Sequence, residues 1–130
     1  MTDEVRLGAA RVWYDPRGVH RIDYDPGATI TEDVARATIE LLAAWDDDTR
    51  KPLIVDGRDI VGMERGARLL FGAETSWSGV AAIAMLVGSA PSRVIANFLV
   101  RMAMPRVPTR LCDDEDGALA WFREIGAWRG

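Results

Sequence analysis

Two short apolar segments constrain the fold of this chain more than any other feature. Leu53–Asp56 is apolar up to its final residue, and Val80–Val87 is apolar throughout between Gly79 and Gly88. Apolar runs without polar alternation are typical of strands buried on both faces, as in the centre of a parallel sheet. The sequence therefore predicts two central strands, joined by right-handed crossover connections.

Helical spacing fills the intervals around these strands. Thr29 and Glu32 form a capping box that predicts the start of a first helix, which is expected to end within Asp46–Lys51. A second helix is predicted over Met63–Glu74, and a third begins at Pro91 because proline suits the first helical turn. The inward stripes of the first and third helices, set by offsets of three and four, are Val34, Ala37, Leu41, Leu42 and Trp45, then Ile95, Phe98, Leu99 and Met102.

The two ends of the chain supply the remaining elements. Val5–Tyr14 and Val19–Tyr24 have the alternation of strands around a Pro-Gly turn, which predicts a hairpin. Thr109–Cys112 reads as a short strand, and Asp113 is expected to cap a last helix. The predicted order is β-β-α-β-α-β-α-β-α, an α/β fold with a mixed sheet and helices packed against it.

Composition limits the chemistry that the chain can perform. Its 130 residues fit one domain, residues 1–130. One cysteine and one histidine exclude a disulfide framework, a Cys-rich zinc site and a His–His metal pair. A net charge of −4 argues against a general nucleic-acid binder. No apolar run approaches the roughly 20 residues of a membrane span, and the polar start lacks a secretory segment, so we expect a cytoplasmic protein.

Neither of the two most reactive side chains is placed in a catalytic pattern. His20 lies in the predicted hairpin without a visible acid or thiol partner, and Cys112 on a short strand is expected to be a buried apolar residue. No nucleophile–base pair accompanies Asp56. The sequence therefore predicts a protein without enzymatic activity, cofactor or metal.

Segments between Pro52 and Phe122 carry a family resemblance. They are Pro52–Asp56, Met63, Ala67–Arg68, Ala84–Ser89, Ser92–Phe98, Pro108–Leu111 and Ala118–Phe122. Together they resemble the STAS fold of anti-sigma-factor antagonists, and more nearly the STAS/SEC14-like small bacterial proteins of unknown function. The resemblance implies a single STAS-like domain with a regulatory role.

One position departs from the antagonist pattern. In antagonists, a strand ending in Asp is followed by an Asp-Ser pair and a Gly, and phosphorylation of that Ser switches partner binding. Counting from Asp56, the pair falls on Glu64 and Arg65, with Gly66 next. Neither residue of this pair has a hydroxyl, so the resemblance implies the scaffold without the phosphoserine switch.

The carboxyl ends of the two central strands provide a candidate ligand site. The residues there are Asp56, Arg58, Ser89, Ser92 and Arg93. Backbone N–H groups at the start of a helix attract anions, so one interpretation is a site for a small anion. The alternative is structural: Ser89 caps the helix, Arg93 faces solvent and Asp56 pairs with Arg68 on the following helix.

The third helix carries a polar ridge opposite its apolar stripe. The ridge consists of Arg93, Asn97, Arg101 and the flanking Met104. Arginine and methionine are enriched at protein interfaces, so we interpret the ridge as the surface of a homodimer or of a regulatory partner. Glu64 and Glu74 are acidic residues that could meet the arginines of a second copy. A solvated helix face is the alternative.

The leading functional hypothesis is a non-enzymatic STAS-like regulatory or protein-interaction module. The alternative is a carrier or sensor of a small apolar, lipid-like ligand, which the SEC14-like resemblance suggests. Met63, Phe71, Phe98 and Met102 would line its site, although they also suffice as a core. Trp77 lies in a loop outside any stripe, as an exposed anchor or the lid of a pocket.

Overall fold

A computed structural model describes residues 4–45, 49–73, 77, 79–103 and 107–130. None of the helices in this part of the chain is long and apolar enough to cross a membrane. The elements in chain order are β1 (Glu4–Leu7), β2 (Ala10–Asp15), β3 (Val19–Tyr24), β4 (Thr29–Ile30), α1 (Glu32–Ala44), β5 (Lys51–Asp56), β6 (Gly62–Met63), α2 (Arg65–Phe71), β7 (Val80–Leu86), α3 (Ala90–Ala103), β8 (Thr109–Cys112) and α4 (Glu115–Glu124).

The main sheet is mixed, as the sequence predicts. Its six strands lie in the order β1-β2-β3-β5-β7-β8. The first three pair antiparallel, and β3, β5, β7 and β8 pair parallel. The two apolar segments form β5 and β7, which pair with each other over Leu53–Ile83 and their neighbours. The prediction of an α/β fold with two central strands is confirmed.

The opening strand is divided where the sequence predicts a continuous one. Gly8 adopts φ +58°, a left-handed conformation that glycine tolerates and other residues rarely take. A Cβ at this position would lie 2.9 Å from Cγ2 of Val34. The chain therefore turns at Gly8, and the predicted strand Val5–Tyr14 becomes the hairpin β1–β2.

Two helix starts also differ from the predicted ones. The first cap is Thr31, whose hydroxyl accepts from the Val34 N–H at 3.2 Å. Thr29 was the expected cap, but it pairs in β4 with Gly62 of β6 instead. In α4 the cap is Asp114, whose carboxylate accepts from the Gly117 N–H at 2.7 Å. In α1, the pairing of Thr29 in β4 leaves Thr31 as the capping residue.

The sheet separates two apolar cores. Leu53 belongs to the larger core, which includes the inward residues of α1, α2 and α3. Ile54 belongs to the second core, together with Phe122 of α4. Successive side chains of a strand point to opposite faces, so β5 contributes to both cores. This explains why its sequence is apolar without alternation.

Candidate functional site

The predicted anion site lies where the loops after β5 and β7 meet. Asp56 ends β5, and the Ser89 N–H after β7 donates to the Arg58 carbonyl at 3.1 Å. Ser92 follows within the first turn of α3. The fold thus brings the predicted residues of both strand ends to one edge of the sheet.

Asp56 binds Arg58, and the expected pairing with Arg68 is wrong. The Arg58 guanidinium donates to the two carboxylate oxygens at 3.0 and 2.8 Å, and its backbone N–H donates at 3.3 Å. Burial alone would raise the pKa of Asp56, but these hydrogen bonds and the charge of Arg58 outweigh it and lower the pKa. Arg68 lies over the ring of Phe98 instead, 5.7 Å from its centroid.

The serines at the start of α3 are engaged within the protein. Ser89 caps the helix, because its hydroxyl accepts from the Ser92 N–H at 3.2 Å. The Ser92 hydroxyl is buried, accepts from the Gly88 N–H at 3.0 Å and donates to the Ser89 carbonyl at 2.9 Å. Arg93 forms an ion pair with Asp113 at 3.2 Å. An anion would have to displace such bonds, and the anion site stays a prediction.

The polar ridge of α3 is exposed at Arg93, Asn97 and Arg101, while Met104 lies outside the described residues. Phe98 is also exposed, to 38% of its surface, although the sequence predicts it in the inward stripe. Ile95 and Leu99 of the predicted stripe do pack against the larger core, and the fully inward positions beside them are the small, buried residues Ser92 and Ala96. This rotates Phe98 towards α2.

The helices α2 and α3 carry exposed apolar and arginine side chains and contact each other through Arg68 and Phe98, and we call this set of side chains the α2–α3 surface. It consists of Arg65, Arg68, Leu69, Val94, Phe98 and Arg101. Leu69 and Val94 are 62% and 69% exposed. Among the ion pairs of the described residues, none involves Arg65, Arg68 or Arg101. The surface is therefore apolar and basic in an acidic chain.

A small apolar pocket opens on the other side of α3, at the carboxyl ends of β3, β5 and β7. It is lined by Ile22, Tyr24, Ile30, Val55, Gly57, Ile60, Phe71, Trp77, Met85, Leu86, Val87, Ser92, Ile95, Ala96 and Leu99. Its enclosed space is about 30 Å³, enough for one or two water-sized molecules. Phe71, one of the residues proposed from the sequence for an apolar site, lines this pocket, while the side chain of Met102 lies outside the described residues.

Trp77 forms a wall of this pocket. Its ring is buried and stacks on Phe71 with the centroids 5.5 Å apart, and its indole N–H donates to the Phe71 carbonyl at 2.6 Å. The expectation of an exposed anchor is wrong. Tyr24 is a pocket residue that the sequence did not indicate, because as the last residue of a strand it carries no distinguishing local pattern.

The reactive side chains singled out in the sequence are buried away from this pocket. Cys112 is buried, and desolvation raises the pKa of its thiol, which disfavours the nucleophilic thiolate. His20 packs between Tyr14 and Trp45, with centroid distances of 5.3 and 6.0 Å. In the described part of the chain, no three acidic, histidine or cysteine side chains group as metal ligands.

Comparison with known proteins places the chain among families defined without a function. A family model described as "Domain of unknown function (DUF7793)" matches residues 12–126. The chain belongs to this family. No curated protein matches it.

A solved structure shares the fold of this DUF7793 member. It is an uncharacterised protein of the DUF3478 family with a SpoIIAA-like fold, from Shewanella loihica PV-4. The TM-score is 0.58 at 13% identity, covering 93% of this chain and 91% of that chain. At this identity the likeness concerns the fold, and it confirms the STAS-like scaffold expected from the sequence.

The residues to which the count from Asp56 assigns the antagonist Asp-Ser pair lie at the start of α2 in this DUF7793 chain. Glu64 immediately precedes α2 and Arg65 is its first residue. The Glu64 carboxylate accepts from the Glu32 N–H of α1 at 2.8 Å. At this position the Glu64 carboxylate thus forms a hydrogen bond within the chain, and the adjacent Arg65 faces solvent.

Proposed function

We propose that this chain is a non-enzymatic regulatory module that binds a partner protein through the α2–α3 surface, without a phosphoserine switch. The observation that carries the proposal is the exposure of Leu69, Val94 and Phe98 beside arginines that have no acidic partner in the described chain. Clustered exposed apolar side chains with a charged rim are typical of interaction sites.

The charge of the surface favours a partner that carries carboxylates. Arg65, Arg68 and Arg101 would attract an acidic segment during approach and reject basic ones. A twofold dimer would instead oppose the same patch to itself, which brings like charges together. Glu64, which is exposed and accepts one backbone bond from the Glu32 N–H, would offset only part of this repulsion among three arginines. Of the two partners predicted from the sequence, a homodimer and a regulatory protein, these points support the regulatory protein.

The test compares two arginine-to-glutamate variants with the same change in net charge. Arg101→Glu lies on the α2–α3 surface, and Arg129→Glu lies near the C-terminus as the matched control. Complexes of the tagged chain from its own host are examined by native mass spectrometry. We expect the wild type and Arg129→Glu to retain the same partner stoichiometrically, and Arg101→Glu to lose at least tenfold in affinity, as charge reversal at an interface commonly costs over 1.4 kcal/mol.

Hydrogen exchange then locates the contact on the purified complex. Slowed exchange in α2 and α3 supports the proposal. Partner binding that survives Arg101→Glu, with slowed exchange elsewhere, contradicts it. A wild-type dimer in sedimentation that Arg101→Glu dissociates would assign the surface to self-association.

A second function, that of a carrier or sensor of a small apolar ligand, is supported by the pocket beneath α3. Ligands of α/β proteins bind beyond the carboxyl ends of parallel strands, where this pocket lies. Its walls are apolar, so the burial of apolar surface would drive binding. The observation is independent of the α2–α3 surface, and the two functions are compatible.

A further inference from the structure

The α2–α3 surface is built from helical residues, which limits how a partner can bind to it. Its members lie within Arg65–Phe71 and Ala90–Ala103. Beyond the first turn, the backbone N–H and C=O groups of a helix bond within the helix. The surface therefore offers mainly side chains, and a partner segment cannot bind here by adding a strand, which needs an unpaired sheet edge.

A partner segment that is buried here has to satisfy its own backbone groups. An unpaired buried N–H or C=O group costs free energy comparable to that of a lost hydrogen bond. An extended segment would place such groups against Leu69, Val94 and Phe98, whose exposed side chains carry no polar atom. An α-helix avoids this cost because its backbone bonds are internal. The surface therefore favours a helical segment.

The apolar part of the surface is contributed by both helices. Val94 and Phe98 are four residues apart and Arg101 follows three residues later, so these side chains lie on one face of α3. The Arg68 guanidinium of α2 lies 5.7 Å from the centroid of the Phe98 ring, and Leu69 is the next residue along α2. Apolar contacts are thus flanked by arginines on either helix.

The arginines of this surface have no acidic partner in the described part of the chain, whereas Arg93 at the start of α3 pairs with Asp113. An exposed guanidinium that is unpaired within its own chain can form charge-assisted hydrogen bonds with the carboxylates of another. Anionic lipid would match the same charges. The net charge of −4, however, means that the rest of the chain is repelled by an anionic membrane.

We propose that the α2–α3 surface binds an acidic amphipathic α-helix of the partner protein. Apolar residues three or four positions apart on this helix cover Leu69, Val94 and Phe98, and carboxylates beside them pair with the arginines. The inference rests on the partner-binding function proposed above and names the form and the charge of the segment that is bound.

Photo-crosslinking from the surface identifies that segment. In one variant p-benzoylphenylalanine replaces Phe98, and in the control it replaces Ile125, which is 42% exposed just after α4. The complex purified from the host is irradiated, and mass spectrometry locates the crosslinked residues of the partner. A synthetic, isotope-labelled peptide of the segment is then titrated into the full chain, and its NMR chemical shifts report the bound conformation.

We expect a crosslink from position 98 and a bound peptide that is helical. Each acidic residue of the peptide is changed to lysine in turn, and at least one change should weaken binding to the wild type tenfold or more. Arg101→Glu should weaken the unchanged peptide similarly and restore binding to one of the lysine peptides, because the charges then oppose each other again. Circular dichroism confirms that Arg101→Glu is folded.

The outcomes separate this inference from the function on which it rests. A crosslinked segment that is basic, binds in extended form or fails to bind as a peptide overturns the helix and leaves partner binding through this surface standing. Crosslinks from position 125 alone contradict the partner-binding function, and the helix fails with it. Sedimentation with vesicles of phosphatidylglycerol and phosphatidylcholine in equal parts tests lipid: vesicle binding that Arg101→Glu abolishes, without a crosslink from position 98, assigns the surface to a membrane.

Discussion

At the scale of single residues, a set of ion pairs joins the β2–β3 hairpin to α4. Arg17 contacts both Asp15 and Glu115 at 2.5 Å, and Arg21 contacts Glu115 at 2.7 Å. Asp15 is buried, while Arg17 is half exposed. Removing one member of such a set leaves the other with an unmet bond, which costs more than the net value of an exposed ion pair.

The charge of Asp15 makes a pH-dependent contribution to stability. Hydrogen bonds from the Arg17 side chain lower the pKa of Asp15, against the opposing effect of burial. A lowered folded-state pKa stabilises the fold above the unfolded pKa, near 3.9, and this contribution disappears as the pH falls through the folded value. We expect Asp15→Asn to cost about 1–2 kcal/mol at pH 6 and progressively less between about pH 4 and pH 2.

Urea unfolding of the wild type and Asp15→Asn across that range measures the difference. Asp59→Asn is the control, because Asp59 is exposed and forms no ion pair with the described residues. A cost that stays constant down to pH 2 would mean that Asp15 acts through its shape and not its charge.

At the scale of elements, two glycines with positive φ differ in whether an added side chain would also meet a neighbouring atom. Gly8 and Gly27 have φ values of +58° and +78°. A Cβ at Gly27 would meet no atom within 4 Å, whereas one at Gly8 would press on Val34 of α1. The turn between β1 and β2 is thus specified both by conformation and by contact with a helix.

We expect Gly27→Ala to cost about 1–2 kcal/mol, the strain of a left-handed residue alone. Gly8→Ala should cost about 1 kcal/mol more, because Val34 must also shift. Urea denaturation of both variants measures these costs. Equal values would show that the side chain of Val34 moves aside freely.

These elements also show what the sequence can specify. The apolar runs of β5 and β7 predict buried strands because burial on both faces leaves a purely local signature. Thr31 could not be distinguished from Thr29 as a cap, since the choice depends on β4 pairing with β6, which is distant in the chain. Tyr24 was missed for the same reason: the pocket is assembled from several elements, and only their packing gives this residue its surroundings.

At the scale of the whole molecule, two phenylalanines on different helices differ in how deeply they are buried. Phe122, a residue of α4, is completely buried against the sheet, whereas Phe98 of α3 lies on the α2–α3 surface. We expect Phe122→Ala to cost about 3–5 kcal/mol, because it leaves a cavity in the second core. Phe98→Ala should cost less, about 1–2 kcal/mol, because a ring that is 38% exposed loses only part of the burial of a core residue.

Chemical denaturation of the two variants provides the comparison. A large loss of stability in Phe98→Ala would place this ring in the core, as the sequence pattern suggested, and would remove it from the proposed partner surface. A small loss, accompanied by weaker partner binding, would support the assignment of Phe98 to that surface.

The short β4–β6 ladder has a mechanical consequence. It lies just before α1 and α2, and backbone bonds from Val61 to Ala28 and from Glu64 to Ile30 hold the two helix starts together at 2.9 and 2.8 Å. A pull on the first turn of α2 would therefore be transmitted to α1 through the main chain. Substitutions of nearby surface side chains would leave this linkage intact, because it consists of main-chain hydrogen bonds.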